Sequence, residues 1–180
     1  MRIGGGKWRS RMLRFPDVPG LRPTPDRVRQ TVFNWLGQEL HGRRCLDLFA
    51  GSGALGLEAL SRHAAEVVLV EADPVIYRAL LENAAALKAE HARIVRADAL
   101  QFLAESRPQF DVVFLDPPFG QGWLEKLIPL LPRHLAEDGL VYAESGQPLE
   151  NRDGWEVLKR GKAGSVFYHL LKCRHGSDEP

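Results

Sequence analysis

The chain has 180 residues, of which 44% are hydrophobic and 26% charged, and this composition is typical of one globular domain with a full core. The longest strongly apolar run, Val67–Val70, is far too short to cross a bilayer, and the start of the chain lacks the apolar stretch of a signal peptide. Two cysteines, Cys45 and Cys173, provide neither a disulfide framework nor a zinc site. We therefore expect a cytoplasmic protein with no membrane segment and no metal.

The net charge of +1 conceals an asymmetry along the chain. Residues 1–44 contain ten lysines and arginines against three acids, whereas the remaining residues contain 14 basic and 20 acidic side chains. A basic segment joined to an acidic body indicates a polyanionic partner, such as a nucleic acid. A solvated basic tail explains the same pattern, so charge alone leaves both interpretations open.

The first 42 residues predict a basic arm followed by one helix. Residues 1–15 are interpreted as two short strands around the Gly4–Gly6 turn, or as an extended arm, and the proline-rich residues 16–25 as a loop. A helix is predicted from Pro25 with Thr24 as its N-cap. Its buried stripe is expected to contain Val28, Val32, Trp35, Leu36 and Leu40.

From residue 43 the pattern changes to strands that alternate with helices. Strands are predicted over Cys45–Phe49, Glu66–Glu71, Arg93–Arg96, Phe110–Leu115 and Gly139–Glu144, helices over Ala54–Arg62, Pro74–Leu87, Ala99–Glu105 and Trp123–Leu135, and a closing hairpin over Trp155–Arg160 and Ser165–Lys172. This alternation predicts an α/β fold with a mostly parallel sheet, whose ligands bind at the carboxyl ends of the strands. We divide the chain into an arm and helix packed on the core (1–42), the core itself (43–173) and a frayed tail (174–180).

The first predicted strand runs into a glycine-rich loop, Asp47–Gly56. Its Gly51, Gly53 and Gly56 match the G-x-G-x-x-G pattern between a strand and a helix, which fits a dinucleotide site or a plain structural turn. Asp47 favours a cofactor with positive charge, because a carboxylate at this position would repel a pyrophosphate. S-adenosylmethionine (SAM) carries an ammonium and a sulfonium, so Asp47 favours SAM over NAD, although Asp47 could also be a helix cap or turn former.

Two further acids follow strands two and three. Glu71 can accept both hydrogen bonds of a ribose diol, a role that NAD and SAM sites share. Asp98 could accept a hydrogen bond from an adenine amino group beside Ala99, or it could simply cap the helix that follows. Phe49 and Ser52, inside the glycine-rich loop, complete the candidate cofactor residues.

The fourth predicted strand ends in Asp116-Pro117-Pro118-Phe119. The prolines fix the backbone and leave carbonyl acceptors, Asp116 adds a carboxylate acceptor, and Phe119 adds a flat surface on which a base can stack. Acceptors beside a methyl donor suit an exocyclic amine, because accepting both amino hydrogens turns the nitrogen lone pair towards the methyl group. The tetrapeptide therefore predicts methylation of a base amino group, with a rigid strand-to-loop turn as the alternative.

These motifs resemble the class I SAM-dependent methyltransferases, in which Asp116–Phe119 is similar to the amino-methyltransferase signature Asn/Asp-Pro-Pro-Tyr/Phe. Three segments, Ile3–Arg9, Leu21–Arg29 and Phe33–Leu36, narrow the resemblance to the bacterial 16S rRNA (guanine-N2) methyltransferase D family, over residues 3–172. Ser10 departs from the family pattern, because glycine is frequent at that position.

The resemblance implies a Rossmann-like, seven-stranded, mostly parallel sheet with an antiparallel last strand, and methylation of a guanine 2-amino group in 16S rRNA, within the small ribosomal subunit. It implies that Asp47, Gly51 and Gly53 hold the methionine part of SAM, Glu71 the ribose and Asp98 the adenine. Asp116–Phe119 would hold the target base. Basic side chains would contact RNA phosphates or order the arm: Arg9, Arg22, Arg27 and Arg29. We expect a monomer.

Three other functions compete with this interpretation. A DNA adenine-N6 or cytosine-N4 methyltransferase would use the same tetrapeptide, but the short chain has no obvious target-recognition domain. A non-catalytic RNA-binding assembly factor is disfavoured by the complete set of acids, Asp47, Glu71, Asp98 and Asp116. An NAD-dependent enzyme is disfavoured by Asp47 and by the absence of a proton-relay candidate near strand four.

Overall fold

The computed structural model describes residues 1–21, 23–152 and 154–174. Its helices are α1 (Asp26–Trp35), α2 (Ala54–Ser61), α3 (Pro74–Leu87), α4 (Ala99–Glu105) and α5 (Trp123–Leu127). Its strands are β1 (Arg44–Asp47), β2 (Glu66–Glu71), β3 (Ala92–Arg96), β4 (Phe110–Leu115), β5 (Leu135–Ser145), β6 (Trp155–Ala163) and β7 (Val166–Cys173). Residues 175–180 of the predicted frayed tail lie outside the described residues.

One seven-stranded sheet has the strand order β3-β2-β1-β4-β5-β7-β6. The five strands from β3 to β5 pair in parallel, whereas β7 runs antiparallel to both β5 and β6. The predicted fold class is therefore confirmed, including the antiparallel last strand. The strand order reverses between β1 and β4, and such a switch point opens a crevice at the carboxyl ends of the strands.

The central strands are buried on both faces, which explains their unbroken apolar sequences. Val67–Val70 in β2 and Val112–Leu115 in β4 are all at most 1% exposed, and alternate residues face two separate core layers. Burying each such side chain contributes about 1.5–3 kcal/mol. These layers hold the strand ends, and therefore the loops that follow them, in fixed positions.

Local capping sets the starts of two helices next to the strand ends. Asp73 accepts hydrogen bonds from the backbone N–H groups of Val75 and Ile76, and Pro74 occupies the first turn of α3. Asp98 caps α4 by accepting from Gln101 N at 2.7 Å. Both helices have the predicted bounds, because aspartate caps and first-turn proline are strong local signals.

Two predicted helices differ from the structure. Helix α1 begins at Asp26 with Pro25 as N-cap residue and no side-chain cap, so the prediction that Thr24 caps it was wrong; Thr24 turns towards Asp116 instead. The predicted helix over Trp123–Leu135 ends at Leu127 and continues as two 3₁₀ turns, Ile128–Leu130 and Pro132–His134. Pro129 and Pro132 cause this break, because neither has an N–H for the helical hydrogen bonds.

The N-terminal segment (1–13) folds back on itself but forms no pair of regular strands. It has one isolated antiparallel bridge, Arg2 to Met12, and a 3₁₀ turn at Gly6–Trp8. Ile3, Trp8 and Leu13 are buried in the same core layer as α1. Ser10 has φ 70°, a left-handed backbone conformation that side chains rarely adopt, so glycine would fit this position with less strain.

A buried carboxylate on α2 anchors this segment. Glu58 accepts hydrogen bonds from Gly4 N (2.8 Å), Gly5 N (3.0 Å), Arg29 (2.9 Å) and Arg62 (3.0 Å). Four donors satisfy both carboxylate oxygens, so the buried charge is fully compensated. The segment is thus tied to the helix that begins at the glycine-rich loop.

Within the described residues, none of the helices has the length and apolar character needed to cross a bilayer.

Candidate active site

The carboxyl ends of β1, β2, β4 and β5 bring four acids to one edge of the sheet. Asp47 ends β1 and Glu71 ends β2, while Asp116 directly follows β4 and Glu144 lies near the end of β5. Strand pairing places Asp47 opposite Phe114 on β4, two residues before Asp116. It also places Leu115 opposite Ala143 on β5, so Asp116 and Glu144, which follow them, are neighbours at the strand ends. Parallel strands therefore assemble this cluster from residues nearly 100 positions apart.

The glycine-rich loop needs its glycines for two different reasons. Gly51 and Gly53 have φ of 56° and 98°, in the left-handed region that favours glycine. At Gly56 the limit is space, because a Cβ would lie 2.5 Å from Leu69 Cδ2 in β2. The third glycine thus lets α2 pack closely on the sheet, which directs the N-terminus of α2 towards the site.

Asp47 has one satisfied and one free carboxylate oxygen. Oδ2 accepts from Gly56 N at 3.1 Å, whereas the buried Oδ1 has no hydrogen-bond partner within the described protein. Burial raises the pKa of Asp47 from 3.8 to about 7, opposed by the hydrogen bond from Gly56. Ser52 in the same loop also has a buried hydroxyl without a partner. A cationic group with N–H donors would satisfy both atoms, so these residues fit the methionine part of SAM.

Glu71 and Asp98 hold backbone N–H groups in addition to any ligand. Glu71 accepts from Gly51 N at 3.1 Å and Asp73 N at 2.8 Å, and burial raises its pKa. Glu71 therefore ties the glycine-rich loop to the end of β2. Asp98 is an exposed N-cap, as its structural interpretation predicted, and Ala99 next to it is buried.

Asp116 lies in a network of side chains from three parts of the chain. Its Oδ2 accepts from the Thr24 hydroxyl at 3.3 Å, and Glu144 is its neighbour at the end of the adjacent strand, since Leu115 pairs with Ala143. The Tyr142 hydroxyl donates to Glu144 Oε1 at 2.5 Å. Burial first, and then Glu144, raises the pKa of Asp116 well above its usual range.

The rest of the tetrapeptide turns from the core towards solvent. Pro117 is buried, Pro118 is exposed, and Phe119 is 46% exposed although it is a large apolar side chain. An open aromatic ring next to a half-buried acid is a suitable stacking surface for a planar ligand. Phe49, after β1, packs edge-on against Trp123 at 5.3 Å and contributes to the wall on this side of the sheet.

The loop that precedes α1 covers part of the glycine-rich loop. Leu21 Cδ1 lies 3.5 Å from the position that a Cβ on Gly51 would occupy. Asn83 of α3 donates to the carbonyl oxygens of both Ser52 and Arg14 at 2.9 Å and accepts from Arg14 N. The N-terminal part of the chain is thus connected to the candidate cofactor site as well as to Asp116.

Sequence reasoning missed four of these residues: Leu21, Thr24, Asn83 and Glu144. Glu144 had a usable signal, because it follows an apolar strand as Glu71 and Asp116 do. Leu21 and Asn83 had no such signal in the sequence, since an apolar loop residue and a helical asparagine have many ordinary roles. Thr24 was assigned to a local cap, and only the fold brings it to Asp116.

The predicted RNA-contacting arginines do not share one environment. Arg9 and Arg27 are exposed, whereas Arg22 lies outside the described residues. Arg29 is 2% exposed, and its guanidinium binds Glu58, Asp26 and the carbonyl oxygen of Arg2. The structure therefore corrects the assignment of Arg29 to RNA phosphates and supports the alternative role of ordering the arm.

One group of possible metal ligands lies on another surface, just before β1 and β2. Glu39 approaches His41 Nε2 at 3.0 Å and His63 Nε2 at 3.7 Å. The two imidazole rings stack in parallel at 4.7 Å, so one ion cannot lie in both ring planes. The arrangement is that of an acid shared by two stacked histidines, and we assign no metal to it.

Comparison with known proteins identifies the family. A family model described as "Conserved hypothetical protein 95" matches residues 1–172. Ribosomal RNA small subunit methyltransferase D of Escherichia coli (strain K12) is 49% identical over 178 residues, which cover 96% of this chain and 89% of that protein. The chain belongs to the ribosomal RNA small subunit methyltransferase D family.

Two further comparisons agree with this membership. The family's Haemophilus influenzae protein is 43% identical over 180 residues, covering 96% of this chain and 93% of its own. The solved structure of E. coli yhhF, at 44% identity, has a TM-score of 0.87 and covers 97% of this chain and 98% of the other. The resemblance predicted from Ile3–Arg9, Leu21–Arg29 and the two site motifs is confirmed, and the chain is a methyltransferase of the class I fold.

Proposed function

We propose that this protein transfers a methyl group from SAM to the exocyclic 2-amino group of a guanine in small-subunit (16S) rRNA. The single observation that carries the proposal is the juxtaposition of two half-sites across the switch point. Asp47 presents a buried oxygen without a partner at the end of β1, and Asp116 presents acceptors next to the open Phe119 ring after β4. The names of the relatives, which specify small-subunit ribosomal RNA, support RNA as the substrate.

The cofactor half is proposed to lie along the ends of β1, β2 and β3. Asp47 Oδ1, Ser52 Oγ and the left-handed loop at Gly51 and Gly53 would hold the methionine part, with Phe49 as part of the wall. Glu71 would accept from the ribose, while Asp98 and Ala99 would border the adenine. When bound, SAM supplies an electrophilic methyl group on a positively charged sulfur. The chain's own task is to orient that methyl group towards the target nitrogen and to exclude water.

The target half is proposed to be the tetrapeptide. Asp116 and the Pro117 carbonyl would accept the two amino hydrogens, and Phe119 would stack on the splayed-out base, which is worth about 1–3 kcal/mol. Holding the nitrogen in line with the methyl group lowers the barrier by up to about 7–11 kcal/mol in ideal cases. The rigid Pro117-Pro118 backbone limits the freedom of these acceptors and so favours that alignment.

The exposed Arg9 and Arg27 are proposed to contact RNA phosphates, together with Arg22. We further propose that the RNA is recognised within the small ribosomal subunit, and that the enzyme acts as a monomer in the cytoplasm. Small subunits present the target base in a folded RNA, so naked rRNA should be the poorer substrate if the particle shapes the site.

Transfer of tritium from labelled SAM tests this proposal with three acceptors: naked small-subunit rRNA, isolated small subunits that lack the modification, and DNA. Nucleoside analysis should recover the label as N2-methylguanosine from rRNA or subunits. Label only in DNA, as N6-methyladenine or N4-methylcytosine, would overturn the proposal. SAM binding without transfer to any acceptor would also contradict it.

A further inference from the structure

The loop before α1 contacts both halves of the site. Leu21 Cδ1 lies 3.5 Å from the position that a Cβ on Gly51 would occupy in the glycine-rich loop. Three positions later, the Thr24 hydroxyl donates to Asp116 Oδ2 at 3.3 Å. The loop therefore reaches the acid that is proposed to accept from the target base, and the reaction described so far gives Thr24 no task.

The local structure around α1 does not explain why Thr24 is buried. Its side chain is polar, but the residue is only 5% exposed. Threonine before a helix commonly caps it, yet α1 has Pro25 as its N-cap residue and no side-chain cap. A buried hydroxyl without a partner is costly, and here Asp116 supplies the partner. Thr24 is thus matched to an acid 92 residues later and not to its own helix.

The backbone on both sides of Thr24 is restrained. Pro23 and Pro25 flank it, and the proline ring restricts φ at each of these positions. The carbonyl oxygen of Pro25 accepts from Arg29 N at 3.0 Å, so the loop continues directly into the first turn of α1. Val28 on that turn is 3% exposed and packs in the core. A buried helix therefore fixes the place of the Thr24 hydroxyl.

The carboxyl group of Asp116 needs an external contact to fix its plane. The terminal torsion of an aspartate side chain has broad, roughly two-fold preferences, so rotamer energies alone leave the two oxygens poorly oriented. Strand β4 and the Pro117 ring restrain the backbone at Asp116, but they do not restrain this torsion. A donor held against Oδ2 removes the rotation that the backbone leaves free.

We propose that Thr24 is a positioning residue for methyl transfer: its hydroxyl holds Asp116 Oδ2 and thereby orients the carboxyl group so that Oδ1 accepts an amino hydrogen of the target base. Thr24 acts through Asp116 and contacts neither the base nor SAM. The inference rests on the proposed function, in which Asp116 accepts from the amine. Its effect belongs to the transition state, where the nitrogen must lie in line with the methyl group.

Thr24→Val tests the hydroxyl, because valine has a similar shape without the donor. At saturating SAM and RNA, kcat should fall about 10- to 100-fold, since a misaligned acceptor no longer holds the amine in line with the methyl group. KM for RNA and Kd for SAM should stay within about three-fold of wild type, because the hydroxyl contacts neither ligand. Tritium transfer to small subunits that lack the modification and calorimetric titration with SAM measure these quantities. A Thr24→Val protein with wild-type kcat would contradict the proposal.

Thr24→Ser is the rescue variant, because it keeps the donor and loses only a methyl group. Its kcat should return to within about three-fold of wild type. Thr31→Val is the matched control, since it removes a hydroxyl of α1 that donates to Arg27 O, and its kcat should remain near wild type. Equal losses in Thr24→Ser and Thr24→Val would show that the side chain only fills space, and would overturn the proposal.

A double-mutant cycle with Asp116→Ala shows whether Thr24 acts through this acid. Adding Thr24→Val to Asp116→Ala should lower the residual transfer by less than about two-fold, because the group that Thr24 orients is already absent. Effects that multiply would show an independent role and sink the proposal. Thr24→Ala also lacks the hydroxyl and provides the same tests if valine prevents folding.

This inference and the proposed function can fail separately. If the wild-type protein methylates no RNA, the proposed function fails. If it methylates RNA and both Thr24→Val and Thr24→Ala retain wild-type kcat, only the role of Thr24 is wrong. A loss of SAM affinity at unchanged kcat would assign the loop to the cofactor half and would also overturn the role of Thr24 at Asp116.

Discussion

The two halves of the site are built in different ways. In the cofactor half, the acids at the ends of β1, β2 and β3 bind backbone N–H groups: Asp47 to Gly56, Glu71 to Gly51 and Asp73, and Asp98 to Gln101. In the target half, Asp116 instead accepts a hydrogen bond from the side chain of Thr24, 92 residues earlier, and lies beside Glu144 on the next strand. The acids of the cofactor half thus hold the backbone at the strand ends, whereas the acid of the target half accepts a hydrogen bond from a side chain in a distant segment.

The largest expected effect is on the target half. Asp116→Ala should lower methyl transfer by about 10³-fold or more, because the carboxyl group that accepts an amino hydrogen of the target base is lost. SAM affinity should stay within a few-fold of wild type, since the cofactor half does not depend on Asp116. Transfer assays and calorimetric titration with SAM measure the two effects.

Asp111→Ala is the matched control, because Asp111 lies at the opposite end of β4 and accepts from Arg44 N. Its transfer rate should remain near wild type. A fully active Asp116→Ala would show that the tetrapeptide is only a turn, whereas loss of SAM binding would show that the halves are not separable.

Asp47→Asn tests the cofactor half. The amide oxygen can still accept from Gly56 N, but the charge is lost, so SAM affinity should fall about 10- to 100-fold, which matches the 1.5–3 kcal/mol of a charged hydrogen bond. In wild type the carboxyl group must ionise to bind a cation. With the pKa of Asp47 at about 7, SAM affinity should fall as pH drops below that value.

Calorimetry from pH 5 to 8 measures this pH dependence, and Asp47→Asn should be nearly insensitive to pH over the same range. Asp111→Asn is the matched carboxyl-to-amide control and should bind SAM as wild type does. If SAM affinity has the same pH dependence in wild type and Asp47→Asn, Asp47 does not bind the cofactor.

Gly56→Ala probes the packing beneath the cofactor half. Its Cβ would lie 2.5 Å from Leu69 Cδ2, so the buried Leu69 side chain or α2 must shift, and the free energy of unfolding should fall by about 1–3 kcal/mol. Denaturant unfolding measures this change. Gly37→Ala is the comparison variant, because a Cβ at Gly37 would meet no atom within 4 Å. Any loss of stability in Gly37→Ala therefore measures the backbone strain of a side chain at φ 95° and not a steric clash. A Gly56→Ala protein as stable as wild type would show that this close approach is not required.

The smallest effect is expected at the rim of the target half. Arg27→Glu should weaken RNA binding several-fold at low salt and less at high salt, because an exposed arginine contacts phosphate through charge. Arg107→Glu is the control, since this exposed arginine precedes β4 and lies at the other end of the sheet. RNA titrations at several salt concentrations distinguish the two variants. If both variants bind RNA with the same affinity and salt dependence, Arg27 is a solvent-exposed helix residue without a role in RNA binding.

Several elements could be predicted from the sequence because their signals are local. Strand β2, strand β4 and helices α3 and α4 have the predicted bounds, since apolar runs and aspartate or proline caps act within a few residues. The failures were tertiary. Thr24 is a good N-cap by type, but a partner 92 residues away takes its hydroxyl. Composition predicted that Arg29 lies in an exposed basic segment, but its guanidinium binds the buried Glu58 and is itself buried.

The sequence by itself determined the order of strands and helices, the glycine-rich loop and the tetrapeptide, because each depends on neighbours within about one turn or one strand. Only the tertiary structure decided which side chains meet across the sheet: Glu144 with Asp116, Asn83 with Ser52, and Glu58 with the N-terminal segment. These pairings follow from strand register and helix packing, which bring together residues whose separation in sequence carries no local signal.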